Sequence, residues 1–382
     1  MALPSSDTLA THGMSRRRFV AGAASAMAAL GLGNALALAD DKASSAKDAA
    51  PAGASSDASG KITVVDQLGK TIEFDKVPER VAVTIMPFPA IFFTVMGDTD
   101  KIVGCNPASI TAYNDSTLAT LYPSLANAAT EWCGTDFSVN IEELLKLKPD
   151  VVFQWTSQPK EIEKMEAAGI KVIALQYGTI DGFRTWINLL GGLFGKQDRA
   201  KFLLDYFDTQ VAQVTDKIAT LSKDDYPTII QLSDDMKVSG KGFMSFWVDN
   251  SGAVNPAADL SGDALQIDME QVYEWNPDII YIGNFTKLQP SDLLEGKLEG
   301  ENWSPVQAVI DGQVYKIPIG GYRWDPPSME TPLVVKWMAK IQHPDLFADM
   351  DMEEELRTFY HDVYDFELTD EMVEEVLGDT QN

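Results

Sequence analysis

One stretch of this chain occurs twice, and the repetition limits what the chain can fold into. Residues Asn140 to Phe153 return 128 positions later as Asp268 to Tyr281. Each copy opens on a residue that caps helices, Asn140 or Asp268. Glu143 or Gln271 follows three positions on, where a capping box places a side chain that reaches back to the cap's N–H. Apolar residues then fall at helical spacing: Ile141, Leu144 and Leu145 in one copy, Met269, Val272 and Tyr273 in the other. A Pro-Asp pair, Pro149-Asp150 or Pro277-Asp278, stops the helix. Proline lacks the amide donor and restricts the residue before it. The β-branched or aromatic run that follows reads as a buried parallel strand. The unit is a short helix feeding a strand, used twice, and it predicts two similar α/β halves.

Folding explains each repeated position except one. Glu142 and Glu270 are neither the capping partners nor part of the apolar face. Taken singly, each is an acidic residue favoured near a helix N-terminus by the helix dipole. Their recurrence at equivalent places in both halves points to a paired role.

A chain of 382 residues has room for two such halves, and its 45% apolar content supports real cores. Its net charge of −27 argues against nucleic acid, which needs a basic face, and weighs against anionic membrane surfaces. The first residues are a targeting segment. Arg16, Arg17 and Arg18 precede Phe19 and an alanine-rich apolar stretch from Ala21 to Leu38, and Ala37 to Ala39 reads as a cleavage signal. The paired arginines resemble a twin-arginine export signal, and an ordinary secretory signal is the alternative. Either places the mature chain outside the cytoplasmic membrane. No later stretch reaches the ~18 apolar residues of a membrane span.

In order, the chain divides into an export signal (1–39), a flexible Ala/Ser/Asp/Lys tether (40–60), a first α/β lobe (61–195), a long amphipathic linker helix (196–223) and a second lobe with terminal helices (224–382). A hairpin is expected from Ile62 to Phe74, turning at Leu68-Gly69. Asn106 to Trp132 reads as irregular, helical at best over Thr117 to Leu121, and Asp249 to Asp259 as loop. In the linker, Phe202, Leu203, Tyr206, Phe207, Val211, Val214 and Ile218 are expected on one buried side. The three closing helices are Thr331 to Ile341, Met352 to His361 and Asp370 to Leu377.

The duplicated unit, the bridging helix and the export signal together resemble the substrate-binding proteins of ABC importers for metal chelates, the group that takes up ferric siderophores, haem and cobalamin. The resemblance covers Lys61 to Leu377, and the loop Tyr322 to Glu330 before a helix carrying Trp337 looks like members that handle iron complexes. It implies two Rossmann-like lobes joined by one rigid helix, a ligand held between them, and permease subunits as partners. It also implies a role for the leftover glutamates, since one glutamate on each lobe of such proteins docks with arginines of the permease. Glu142 and Glu270 match that position. Charge pairs of this kind guide encounter and orientation more than they supply affinity. The protein is expected to act as a monomer.

Ligands of open α/β sheets bind beyond the carboxyl ends of the strands. Trp132, Trp155, Tyr177, Trp247, Tyr322 and Trp324 all fall at predicted strand ends, and aromatic walls suit a large chelate. Arg323, with no other arginine between Arg199 and Arg357, is placed to pair with a ligand carboxylate or phosphate, or with nearby Asp325 or Glu330. Cys105 and Cys133 fit either one disulfide or two free thiols. The chain has three histidines, and none falls on an expected cleft loop, so no metal site is expected and any metal should arrive chelated. No nucleophile–base arrangement is visible, so no cofactor and no catalysis are expected. An oxyanion such as molybdate or tungstate, bound by backbone N–H groups and Arg323, is the alternative ligand. A surface sensor without a transporter is the alternative role.

Overall fold

The computed structural model describes residues 52–57, 60–234, 236–260, 262 and 264–378. The expected export signal, residues 1–39, and the start of the tether lie outside the described residues. The described strands are β1 (Gly53–Ser56), β2 (Ile62–Val65), β3 (Thr71–Phe74), β4 (Val81–Val83), β5 (Ile102–Cys105), β6 (Val151–Trp155), β7 (Val172–Leu175), β8 (Ile229–Ser233), β9 (Lys237–Val238), β10 (Leu265–Gln266), β11 (Ile279–Ile282) and β12 (Val314–Lys316). They form three sheets: antiparallel β1-β2-β3, parallel β5-β4-β6-β7, and β10-β9-β8-β11-β12. In the last, β8, β11 and β12 run parallel while β9 and β10 add antiparallel edges.

Each copy of the repeat supplies an inner strand, β6 between β4 and β7, and β11 between β8 and β12. Both are buried along their whole length, as their unbroken apolar runs require. Burying each such side chain is worth roughly 1.5–3 kcal/mol. The helices before them are Ile141–Leu147 and Met269–Trp275. Asn140 accepts from the amides of Glu142 and Glu143, and Asp268 from that of Gln271, so both caps form. The reciprocal half of the capping box does not form. The Asn140 N–H goes to the Trp132 carbonyl at 2.8 Å, and Glu143 pairs with Lys146 at 2.6 Å. Each helix ends on a left-handed residue, Lys148 (φ 48°) or Asn276 (φ 38°), which closes it just ahead of the proline. The aspartate of each Pro-Asp pair then ties two strands together. Asp150 accepts from the amides of Glu79 and Arg80 ahead of β4, and Asp278 from that of Thr228 ahead of β8.

Four sequence expectations change. Residues 53–56 of the expected tether form β1, which pairs with β2 and packs on the helix Ile180–Leu193. A Cβ on Gly192 of that helix would stand 2.4 Å from the Ala54 carbonyl oxygen, so only glycine admits the strand. The stretch after Asn106 is helical over Pro107–Asn114, with the Asn106 side chain as cap and proline at its first turn. Met244–Ser251 is a helix running into the expected loop, closed by left-handed Gly252. The linker helix spans Gln197–Ile218 and buries Ala200, Leu203, Phe207, Val211, Val214 and Ile218, leaving Phe202 exposed and Tyr206 half-buried one position off the stripe. Of the closing helices, Thr331–Gln342 is almost wholly buried, while Met352–Tyr364 and Asp370–Leu377 pack an apolar face onto the core and leave acidic faces in water.

Candidate functional site

Beyond the carboxyl ends of the parallel strands lies a cleft of about 340 Å³. Its first wall comes from the β4-β6-β7 sheet: Met86 and Pro87 after β4, Trp155 and Ser157 at the end of β6, Tyr177 after β7, and Phe137. Its second wall comes from the β8-β11-β12 sheet: Gln231 on β8, Ser239 after β9, and Phe243, Met244 and Trp247 at the start of a helix. Phe285 after β11 and Tyr322, Asp325 and Pro326 after β12 complete it.

Four of the six expected aromatics therefore line the cleft: Trp155, Tyr177, Trp247 and Tyr322. Trp155 stands edge-on to Tyr177 at 5.6 Å, and Phe243 edge-on to Trp247 at 5.3 Å, so each wall is held by ring packing. Trp132 and Trp324 are core residues instead. Trp132 is 1% exposed among Ala82, Leu144 and Val152, with its indole N–H on the Ala129 carbonyl. Trp324 is fully buried, and its indole N–H donates to Glu330 at 3.1 Å.

Arg323 is not among the lining residues. Its guanidinium lies 4.7 Å from the centre of the Phe285 ring and 3.8 Å from an Asp115 carboxylate oxygen, so its ion pair is with neither Asp325 nor Glu330. Its Nε makes no hydrogen bond among the described residues. The indole N–H of Trp247 and the hydroxyl of Tyr322, both on the cleft wall, are likewise buried and unpaired there. Buried donors without partners are uncommon and call for an explanation, such as a ligand.

Glu330, buried at the base of the Gly320–Trp324 loop, fixes that loop to the fold. It accepts from the amides of Gly321 (2.9 Å) and Tyr322 (3.3 Å) and from Trp324. Burial lifts its carboxyl to about 7, against the pull of these donors and of the Tyr360 hydroxyl. Asp325 is also raised by burial, opposed first by the Asn284 amide, which donates to it at 2.6 Å.

Sequence reasoning missed Phe137 and Gln231. Phe137 holds a left-handed backbone (φ 69°), which a bulky residue rarely adopts. Buried Gln154 secures it. Its amide donates to the Phe137 carbonyl at 3.1 Å while its oxygen accepts from Thr84 at 2.6 Å and from the Trp155 amide at 2.8 Å. Gln231 lies within a strand, and the loop rule does not reach it.

Cys105 and Cys133 are free, buried thiols and not a disulfide. Burial raises both to about 12, so neither is a ready nucleophile or metal ligand. Glu142 and Glu270 are exposed, and neither carboxylate has a partner among the described residues.

The family model for periplasmic binding proteins matches residues 83–319. The chain belongs to that family. A solved periplasmic solute-binding protein from Veillonella parvula is 35% identical, covers 83% of this chain and 97% of its own, and superposes with a TM-score of 0.76. The molybdate-binding protein MolA of Haemophilus influenzae is 26% identical over 80% of this chain and 88% of its own. The iron(3+)-hydroxamate-binding protein FhuD of Bacillus subtilis is 27% identical over 50% of this chain and 62% of its own. The resemblance carried by the duplicated unit thus names the right family, and the two-lobed α/β fold is the family's.

Proposed function

We propose that this protein is the extracytoplasmic receptor of an ABC importer, a binding protein rather than an enzyme, and that its cargo is an organic metal chelate. The observation that carries the cargo class is the cleft. Its volume of about 340 Å³ is in the range of organic-ligand sites, and its walls are mostly rings, methionines and prolines, with Ser157, Gln231, Ser239 and Asp325 beside them and no lysine, arginine or histidine among the described lining residues. A lone tetrahedral oxyanion would fill only a few water volumes of about 30 Å³ each. Ferric siderophores and related haem or corrinoid compounds have the necessary bulk. Chelation in advance also fits a site where, among the described residues, no group of three His, Cys, Asp or Glu could hold a bare ion.

Delivery would follow from Glu142 and Glu270, two exposed carboxylates at matched positions before β6 and β11. On two such lobes they give a permease with basic pockets a paired docking geometry. Ligand favours the closed receptor only through its differential affinity for that form.

Molybdate is the second reading. The likeness to the molybdate-binding protein of H. influenzae and the unpaired Nε of Arg323 favour it. Thermal unfolding of the purified protein with ferric siderophores, haem, cobalamin or molybdate separates the two, because a ligand of the native state raises its apparent stability. We expect a ferric chelate to raise Tm. Stabilisation by molybdate alone would replace the chelate reading.

A further inference from the structure

We propose that Asp325 makes the cleft selective for chelates without net negative charge, whose oxygens accept hydrogen bonds from Trp247 and Tyr322. The inference rests on the chelate reading above and deepens it. Among the described residues Asp325 is the one carboxylate that lines the cleft, and no cation lines it beside Asp325. It is held in place. The Asn284 amide donates to its Oδ2 at 2.6 Å, and the Asn284 side chain lies 3.4 Å from its Oδ1. It also sits against Gly283 at the end of β11, where a Cβ would come within 3.1 Å of Oδ2.

Two cations, Lys316 and Arg323, act on the Asp325 charge from off the cleft wall, but neither lines the cleft. Lys316 donates to the carbonyls of Gly283, Thr286 and Leu288 at 2.8, 3.2 and 3.0 Å, which uses all three of its protons. Arg323 covers the Phe285 ring and pairs at long range with Asp115. An anionic cargo would therefore meet a fixed carboxylate with no cation among the described lining residues. Like charges brought together there repel strongly. The chain's net charge of −27 adds repulsion during approach. The unpaired indole N–H of Trp247 and hydroxyl of Tyr322 ask the cargo for acceptor atoms instead.

Charge sorts ferric chelates cleanly. Three monoanionic bidentate hydroxamates neutralise Fe³⁺, whereas three dianionic catecholates leave a trianion. The test titrates the protein with one ferric trihydroxamate and one ferric tricatecholate, followed by the quenching of its intrinsic tryptophan fluorescence. Wild type should bind the neutral chelate at least ~10-fold tighter, the free-energy equivalent of ~1.4 kcal/mol. Asp325→Asn, which keeps an acceptor for the Asn284 amide, should shift the ratio of the two affinities ~10-fold toward the tricatecholate. Asp325→Ser serves as a second variant should asparagine disturb the loop, and the wild-type ratio stands without either. Equal or tighter binding of the tricatecholate by wild type, or an unchanged ratio in both variants, overturns the inference alone. Binding of neither chelate overturns the chelate reading together with it.

Discussion

The two halves carry the same features around their repeated helices and different features in the cleft. Asn140 and Asp268 cap equivalent helices, Glu142 and Glu270 stand exposed beside them, and Asp150 and Asp278 tie the following strands to their neighbours. In the cleft the likeness ends. The first half contributes Met86, Pro87, Phe137, Trp155 and Tyr177, with Ser157 its one small polar group. The second contributes Gln231, Ser239 and Asp325 alongside its rings, and the unpaired donors of Trp247 and Tyr322. The duplicated fold thus keeps its symmetry at the two repeated helices. Where one ligand without that symmetry must be gripped, an apolar wall faces a polar one.

The largest expected effect concerns what holds the polar wall. Glu330 anchors the loop bearing Tyr322 and Asp325, and its carboxyl is raised from an ordinary 4.5 to about 7, chiefly by burial. A native carboxyl that binds its proton more tightly than the unfolded chain contributes stability that is full below pH ~4.5 and is lost as pH rises through ~7. The shift corresponds to about 3 kcal/mol. Tyr360 and Tyr364, which also face Glu330, stay neutral throughout, since burial holds both well above the ordinary tyrosine range. Urea unfolding at pH 4.5 and pH 8 should show wild type losing about that much more stability than Glu330→Gln. The many exposed carboxylates are common to both proteins, so their contribution cancels. Equal pH slopes would mean that the polar wall does not depend on this carboxyl.

The shared features are tested next. Reversing both charges, Glu142→Lys with Glu270→Lys, should cut chelate uptake by cells more than ~100-fold, or about 2.7 kcal/mol, while ligand affinity stays within twofold. Either single reversal should do less, since the other lobe keeps its contact. Full uptake by the double variant would show that the likeness between the halves serves folding alone.

How far sequence reached depended on whether a signal is local. A cap, a Pro-Asp stop and an unexplained glutamate are local, and they stood out because they occur twice. Strand-end aromatics were half-legible. The rule that ligands meet strand carboxyl ends found Trp155 and Tyr177 but could not tell them from Trp132, whose ring turns into the core against Leu144. Phe137 was illegible because its left-handed backbone depends on Gln154, a buried partner 17 residues away. Strand β1 was illegible for the opposite reason. Gly53–Ser56 offers the core only the small Ala54 side chain, and its place is decided by backbone pairing and by the missing Cβ of Gly192.

That distinction yields a smaller test on the apolar wall. Trp155→Ala should weaken chelate binding about 30-fold, or ~2 kcal/mol, the usual loss at a ring that anchors a ligand. Trp132→Phe, packed against the same sheet but inside the core, should lower Tm and leave affinity unchanged. If both variants change affinity alike, the wall is less local than the cleft geometry implies.

The smallest effect tests the polar wall atom by atom. Trp247→Phe keeps a ring beside Phe243 and removes only the indole N–H, which has no partner among the described residues. Stability should therefore hold or rise slightly, because a buried unpaired donor is relieved. Affinity should fall about 3- to 10-fold, the ordinary worth of one hydrogen bond of ~1 kcal/mol, if that donor meets an oxygen of the cargo. Unfolding and binding should thus move in opposite directions, a combination that loosened packing would not produce. An unchanged affinity would leave Tyr322 as the remaining donor, and would make the second wall nearer in character to the first.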